Sequence, residues 1–259
     1  MLAEQEYYEI EGHWVPEHIR KDDIDRIKES FLLVPKDVGS IIDVGCGNGI
    51  FINYVQSHSS IKELLGVDNS AAALEQVKTE KVRCDIKSIP VKDKDYDLVT
   101  AFEVIEHFSS TDSKPVLKEI CRLAEKYIML SVPNNETLAK GFVRCPQCGT
   151  RFHRNYHKRS FSKALLKELL TEYGFKCKKI KEIGSYQSYW LLTPLVYFLK
   201  KLGLKIPVMK YPAICPTCGH TPASSVKAGK SQGLVAVILE KIWPKQILGR
   251  WIIAIYDKA

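Results

Sequence analysis

Ser40-Ile41-Ile42-Asp43-Val44-Gly45-Cys46-Gly47-Asn48-Gly49-Ile50-Phe51 is the stretch on which the fold turns. Residues 40 to 44 read as a short apolar strand, and Asn48 to His58 carries Ile50, Phe51, Tyr54 and Val55 at helical spacing. Glycines set between a strand and a helix let the backbone approach a ligand at the strand's carboxyl end. Asp68 stands nineteen residues beyond Gly49, at the tip of the next strand, Leu64 to Val67, placed to accept hydrogen bonds from ribose hydroxyls. The pair suits a nucleoside-containing ligand. A dinucleotide fingerprint needs its third glycine where Ile50 stands, so NAD and FAD are disfavoured. A tight glycine turn with no ligand is the plainer alternative.

Outward from that loop, strands and helices alternate, the pattern of a mostly parallel sheet covered on both faces. Ser70 caps a helix expected over Ala71 to Glu80, and Val82 to Cys84 and Asp97 to Phe102 read as the third and fourth strands. A helix over Asp112 to Ala124 leads to a fifth strand, Tyr127 to Val132. Ser160 or Ser162 caps an amphipathic helix with Leu165, Leu166, Leu169 and Leu170, closed by Gly174. A sixth strand runs from about Lys176 to Ile183, and Trp251 to Tyr256 is the seventh.

The 259 residues, 45% hydrophobic and 26% charged, are ample for one large α/β domain with insertions or for two small domains, and they exclude disorder. The net charge of +8 comes from lysines spread along the chain, which permits an anionic partner without requiring one. The acidic start, MLAEQEYYEIEGHW, lacks the basic and apolar regions of an export signal, so a reducing cytoplasmic setting is expected. The apolar run from Trp190 to Leu199 is about half the ~20 residues a membrane helix needs, so no transmembrane segment is expected.

The stretches IIDVGCGNGIF, LLGVDNS, VRCDIKSIPVKDKDYDLVTAFEVIEHF and YIMLSVP, in this order and spacing, resemble the class I S-adenosylmethionine-dependent methyltransferases, in particular the small-molecule and quinone group. They cover about residues 40 to 133. The resemblance implies a doubly wound, seven-stranded Rossmann-like sheet whose last strand is reversed and lies between the fifth and sixth. It also implies S-adenosyl-L-methionine as cofactor. Asp43, Gly45, Gly47 and Gly49 would border its methionine part, Asp68 would hold its ribose, and Asp85 and Ile86 would sit at its adenine, with Cys46, Asn69 and Glu103 also on the cofactor side.

A sulfonium is already an activated methyl donor, so the protein need only align donor and acceptor and provide for the acceptor's proton. His107, in Glu103-Val104-Ile105-Glu106-His107 after the fourth strand, is the candidate base, with Glu103 a second candidate catalytic residue. The alternative for His107 is a structural hydrogen bond at a helix's first turn. Phe102-Glu103-Val104 stands where many adenine and glutamine nitrogen methyltransferases carry an N-P-P-Y signature, so those acceptors are disfavoured.

Cys145-Pro146-Gln147-Cys148-Gly149 and Cys215-Pro216-Thr217-Cys218-Gly219 are two matched zinc knuckles. One follows the fifth strand and the other the sixth, and both strands end at the carboxyl edge, so all four cysteines are expected to meet around one structural Zn2+. Cys145, Cys148, His153 and His157 form a competing local set, C-x2-C-x4-H-x3-H. His157 and Arg159 lie near the active edge, either to meet substrate or to begin a helix.

The expected organisation is an N-terminal helical and aromatic flap over 1–38 (with Tyr7, Tyr8, His13, Trp14 and Arg20), for which ordinary aromatic packing is the alternative, a cofactor half over 39–133, a first knuckle insertion over 134–157, core over 158–184, a second knuckle and apolar insertion over 185–247, and the last strand over 248–259. The apolar residues of the second insertion, Trp243 among them, suit core packing, a hydrophobic acceptor pocket or a peripheral membrane contact, with Lys200, Lys201 and Lys205 toward headgroups. The expected acceptor is a small molecule, a glycan or a lipid-linked intermediate, methylated at oxygen. The alternatives are RNA held by the zinc unit and basic surface, and a non-catalytic cofactor-binding scaffold.

Overall fold

A computed structural model describes residues 8–9, 21–188, 213–220 and 246–259. Helix α1 (Lys21–Phe31) precedes β1 (Ser40–Val44), α2 (Ile50–His58), β2 (Glu63–Asp68), α3 (Ala71–Leu74), β3 (Glu80–Arg83) and β4 (Tyr96–Phe102). A turn of 3₁₀ helix (Ile105–His107) leads to α4 (Ser113–Leu123) and β5 (Ala124–Pro133). Next come α5 (Leu138–Gly141), the hairpin β6 (Phe142–Arg144) and β7 (Arg151–His153), α6 (Lys163–Glu168), β8 (Phe175–Ser188) and β9 (Gln246–Lys258).

The seven-stranded sheet has the order β3-β2-β1-β4-β5-β9-β8. β1 to β5 are parallel, and β9 runs antiparallel to both β5 and β8, which is the reversed strand between fifth and sixth that the family resemblance implies. Its central strands are buried on both faces: β1 is buried at every residue, and Leu98, Val99, Ile128, Met129, Leu130, Ile252 and Ile253 are fully enclosed. Two cores result, one per face. One gathers Val99, Leu117, Ile120, Leu166 and Tyr256, and the other Ile27, Ile41, Phe51, Ile52 and Ile253. Burying aliphatic side chains on both faces is what a parallel sheet demands of its sequence.

Two elements depart from the periodicity. The helix expected over Ala71 to Glu80 stops at Leu74. Asn53 pulls the chain off helical course, accepting from the Lys78 N–H (2.8 Å) and donating to the Gln76 carbonyl (3.0 Å), while the Lys81 ammonium caps the Leu74 and Val77 carbonyls. The hairpin β6–β7, inside the first insertion, was not foreseen; its three paired residues on each side present Cys145 and Cys148 at the connecting turn.

The first insertion is closed at its base against the sheet, where Asn134 bridges to Phe161 and the Asn135 N–H donates to the Phe161 carbonyl at 2.9 Å. A small third core of Cys145, Phe152, Tyr156, Ala213 and Cys215 ties the two insertions together, reinforced by Tyr156 Oη donating to the Ile214 carbonyl at 2.8 Å. Among the described residues no helix is long and apolar enough to cross a membrane. Tyr7, His13, Trp14 and Arg20 of the expected flap, and Lys200, Lys201, Lys205 and Trp243 of the second insertion, lie outside the described residues.

Candidate functional site

The loop between β1 and α2 is shaped by three glycines of positive φ, Gly45 (70°), Gly47 (53°) and Gly49 (72°). Side chains are excluded there: a Cβ on Gly45 would stand 2.6 Å from Val104 Cγ2, and one on Gly49 2.9 Å from Val77 Cγ2. The N–H groups of Gly45 and Cys46 donate to the Val67 carbonyl at 2.8 and 3.0 Å, locking the loop to the end of β2. Asp68 stands at that end and is tied to the loop directly, since Oδ2 accepts from the Gly47 N–H at 2.9 Å and Oδ1 from the Ser70 N–H at 2.8 Å. Each oxygen of a carboxylate accepts more than one bond, so Asp68 is oriented by the backbone and keeps capacity for hydroxyl donors. Burial raises its carboxyl above the ordinary value.

Asp43 is 3% exposed, next to the last residue of β1, and its Oδ1 accepts from Thr100 Oγ1 at 2.6 Å. Burial pushes its carboxyl up to about 7, and Asp68 adds to the effect. Cys46 is buried beneath the loop, and burial raises its thiol strongly. Asn69 and Asp85 are exposed at the ends of β2 and β3; the Asn69 carbonyl accepts from Arg83 Nε, and Asp85 Oδ1 accepts from the Lys87 N–H. Ile86 is half-buried against the core. The expected cofactor residues thus gather along one edge of the sheet.

Two residues complete this edge. Glu103 has a positive φ of 58° and both carboxylate oxygens engaged, Oε1 by Ser131 Oγ at 2.9 Å and Oε2 by Trp251 Nε1 at 3.0 Å. Arg26, on α1, was not singled out in the sequence. Its guanidinium lies over the Trp251 ring (5.2 Å) and 3.8 Å from Glu103 Oε1, and Nε and Nη1 are buried without a hydrogen-bond partner among the described residues. A buried arginine in that condition is a ready partner for an anionic group. No local sequence signal marked it, since its burial follows from how α1 packs.

On the other side of the β4 loop stands an acid–imidazole cluster. The His107 and His157 rings meet edge to face at 4.9 Å, and His153 stacks on His157 at 5.1 Å. His157 Nδ1 lies 2.5 Å from Glu136 Oε2, and His153 Nε2 3.6 Å from Oε1 of the same carboxylate. Burial would raise the Glu136 carboxyl, but the His157 hydrogen bond together with the charges of His157, His153 and Arg154 outweighs it and holds the group below the usual range. Glu106 is completely buried; burial, with the charge of Glu103, drives its carboxyl far above the ordinary value. Arg159 is occupied structurally, donating to Ser113 Oγ at 2.7 Å and lying over Phe161.

The four knuckle cysteines come together although Cys148 and Cys215 are far apart in the chain. Cys145 and Cys218 sulfurs are 3.7 Å apart, Cys148 and Cys215 3.5 Å, and all four lie within 4.8 Å of one another. Sulfurs at the corners of a tetrahedron about 2.3 Å from a zinc ion stand roughly 3.8 Å apart, so the spacing fits one such ion. His153 and His157, the competing ligands, are turned instead toward Glu136.

Residues 16–180 match the family described as "Methyltransferase domain". The ubiquinone biosynthesis O-methyltransferase of Candida albicans is 27% identical over 185 residues, 57% of this chain and 56% of that protein. The chain spans about half or less of the length of the curated relatives it matches. A S-adenosylmethionine-dependent methyltransferase structure from Archaeoglobus fulgidus shares the fold with a TM-score of 0.54 at 20% identity, covering 91% of this chain and 92% of its own. Magnesium protoporphyrin IX methyltransferase from Synechocystis, solved with bound S-adenosylhomocysteine, gives 0.52 at 14% identity over 70% and 91% of the two chains.

Proposed function

The chain belongs to the methyltransferase-domain family, and from that premise we propose that it transfers a methyl group from S-adenosylmethionine to the oxygen of a small-molecule, glycan or lipid-linked acceptor. The observation that carries the reading is the glycine loop locked onto the end of β2, with Asp68 oriented by the Gly47 and Ser70 amides, and Arg26 buried against Trp251 and Glu103 with Nε and Nη1 free of hydrogen bonds among the described residues. These groups fit the donor's parts. Asp68 takes the ribose hydroxyls, Arg26 the methionine carboxylate and Glu103 the ammonium, while Asn69, Asp85 and Ile86 border the adenine. The bound cofactor supplies an activated methyl group, and the protein contributes alignment of sulfur, methyl carbon and acceptor oxygen.

Methylation at oxygen is supported by the name of the Candida albicans relative, an O-methyltransferase. His107 stands beyond Glu103 at the carboxyl edge, and in this reading it activates the acceptor hydroxyl, with His157 against its ring. The four-cysteine cluster holds a structural zinc ion that pins the two insertions beside the site, as the sulfur spacing supports.

Calorimetric titration with S-adenosylmethionine and S-adenosylhomocysteine is the direct test. Micromolar binding of both is expected, and Arg26→Met should weaken it by roughly 10- to 100-fold, the worth of a charged hydrogen bond at about 1.5–3 kcal/mol. Failure of the folded protein to bind either ligand would refute the reading. Binding with no transfer to any acceptor tested would point to the scaffold alternative, and RNA binding that falls steeply with salt would move the acceptor to nucleic acid.

A further inference from the structure

Trp251, in β9, is 4% exposed and meets charges of both signs. Its indole Nε1 donates to Glu103 Oε2 at 3.0 Å, while the guanidinium of Arg26 lies 5.2 Å and that of Arg250 5.0 Å from the ring centroid. An indole has one donor at its edge and a negative face, so it holds a carboxylate and a guanidinium at once. The ring is held firmly in turn. A Cβ on Gly184, which has φ 65° on the neighbouring strand β8, would stand 2.8 Å from Trp251 Cζ3 and 2.9 Å from Cε3, so that strand is shaped around the indole. From α1, Asp22 pairs with Arg250, and Glu29 pairs with Lys181 of β8 at 3.2 Å, which fixes the helix that carries Arg26 against the same two strands.

Arg26 and Glu103 do not complete each other. Nη1 and Oε1 are 3.8 Å apart, beyond hydrogen-bond reach, and Nε and Nη1 of the buried arginine have no hydrogen-bond partner among the described residues. A guanidinium and a carboxylate free to move close to about 2.7–2.9 Å, commonly as a bidentate pair. Here the indole N–H and Ser131 Oγ hold the carboxylate while the ring face holds the guanidinium, and the two charges stay apart. The separation leaves donors on Arg26 and acceptor capacity on Glu103, since each carboxylate oxygen accepts more than one bond. A cation and an anion kept open side by side match a ligand with a carboxylate and an ammonium on one carbon, an amino-acid zwitterion.

We propose that Trp251 is a positioning residue that keeps Arg26 and Glu103 from closing into a salt bridge, so that both ends of the methyl donor's zwitterion find partners already in place. The proposal rests on the S-adenosylmethionine reading of this edge. Trp251 acts through its two neighbours and not on the reacting atoms. Its contribution is preorganisation, because charges already held apart take less from the binding energy than a pair the ligand must first break. Without the indole N–H, Glu103 Oε2 is free to accept from Arg26, and the ligand then has to displace that bond. The loss falls on ligands that carry the amino-acid end and spares those that lack it.

The test compares S-adenosylhomocysteine with methylthioadenosine, which keeps the adenosine and the thioether but lacks the amino-acid end, by calorimetry on the full chain, with weak binding read by competition. Trp251→Phe keeps an aromatic face and removes the N–H. It should weaken S-adenosylhomocysteine about tenfold, the lower end of what a hydrogen bond to a charged group contributes, and change methylthioadenosine by less than about twofold. In an Arg26→Met background the same substitution should cost markedly less, since no guanidinium remains to close on Glu103. Equal losses for the two ligands overturn the proposal. If Trp251→Phe does not fold, the indole N–H resonances of the parent decide: one should move with S-adenosylhomocysteine and hold still with methylthioadenosine, and resonances that answer both ligands alike refute the proposal. A parent that binds S-adenosylhomocysteine no better than Trp251→Phe does removes only the role of Trp251, whereas a parent that binds neither ligand removes the methyl-donor reading and the proposal with it.

Discussion

Asp43 carries a large electrostatic penalty in the glycine-loop region, because a carboxyl at 3% exposure is pushed from 3.8 to about 7 by burial. Between about pH 4 and 7 the folded chain holds a proton that the unfolded chain has released, so stability falls as pH rises through that window and levels off above it. The shift corresponds to about 4 kcal/mol at 1.36 kcal/mol per pH unit. Asp43→Asn abolishes the titration while keeping a group for Thr100 to bond. In cofactor-free protein it should raise the melting temperature at pH 8 and lose that advantage near pH 4. An equal gain at both pH values would show that the carboxyl is not the origin. Asp43 and Asp68 were both legible in the sequence, because each ends or occupies a strand beside a glycine turn. Arg26 was not: an arginine on a surface-type helix reads as solvated until the helix is seen packed against Trp251 and Glu103.

At the scale of elements, the β1–α2 turn and the β4 loop are built against each other. Gly45→Ala puts a methyl group 2.6 Å from Val104 Cγ2 on a backbone of φ 70°, costing about 1–3 kcal/mol and lowering the melting temperature by roughly 2–4 °C per kcal/mol. Adding Val104→Ala should restore part of the loss, since it relieves the contact but not the backbone strain. A Gly45→Ala variant that melts like the parent would mean the loop has room to move. Strand and helix identities here follow from periodicity, and the seven expected strands all form. The early end of α3 and the β6–β7 hairpin escaped that reading. The first depends on Asn53, a residue of a different helix, and the second on three-residue strands too short to carry a period.

At the scale of the whole molecule, the insertions are joined through the cysteine cluster and the small core around Tyr156 and Ala213. One zinc ion per chain is expected by elemental analysis. Removing it with chelator should open residues 134–157 and 213–220 to proteolysis while S-adenosylhomocysteine still binds the glycine loop. An unchanged digest after complete removal would mean that the apolar core alone holds the two segments.

The sequence by itself determined the strands of the sheet, the glycine loop with Asp68 at the tip of the next strand, and the two matched cysteine knuckles. Each depends on a local pattern, whether a period of two or of 3.6, a glycine turn or a matched C-x-x-C, and a local pattern survives in one dimension. Only the tertiary structure decided that His153 and His157 turn to Glu136 rather than to the cysteines, that Glu103 is tied to Ser131 and Trp251, and that Glu106 is buried with its oxygens unsatisfied among the described residues. Those outcomes depend on which side chains from distant elements share the space beyond the strand ends. Neither burial nor the placement of a proton can be read before the chain has closed around them.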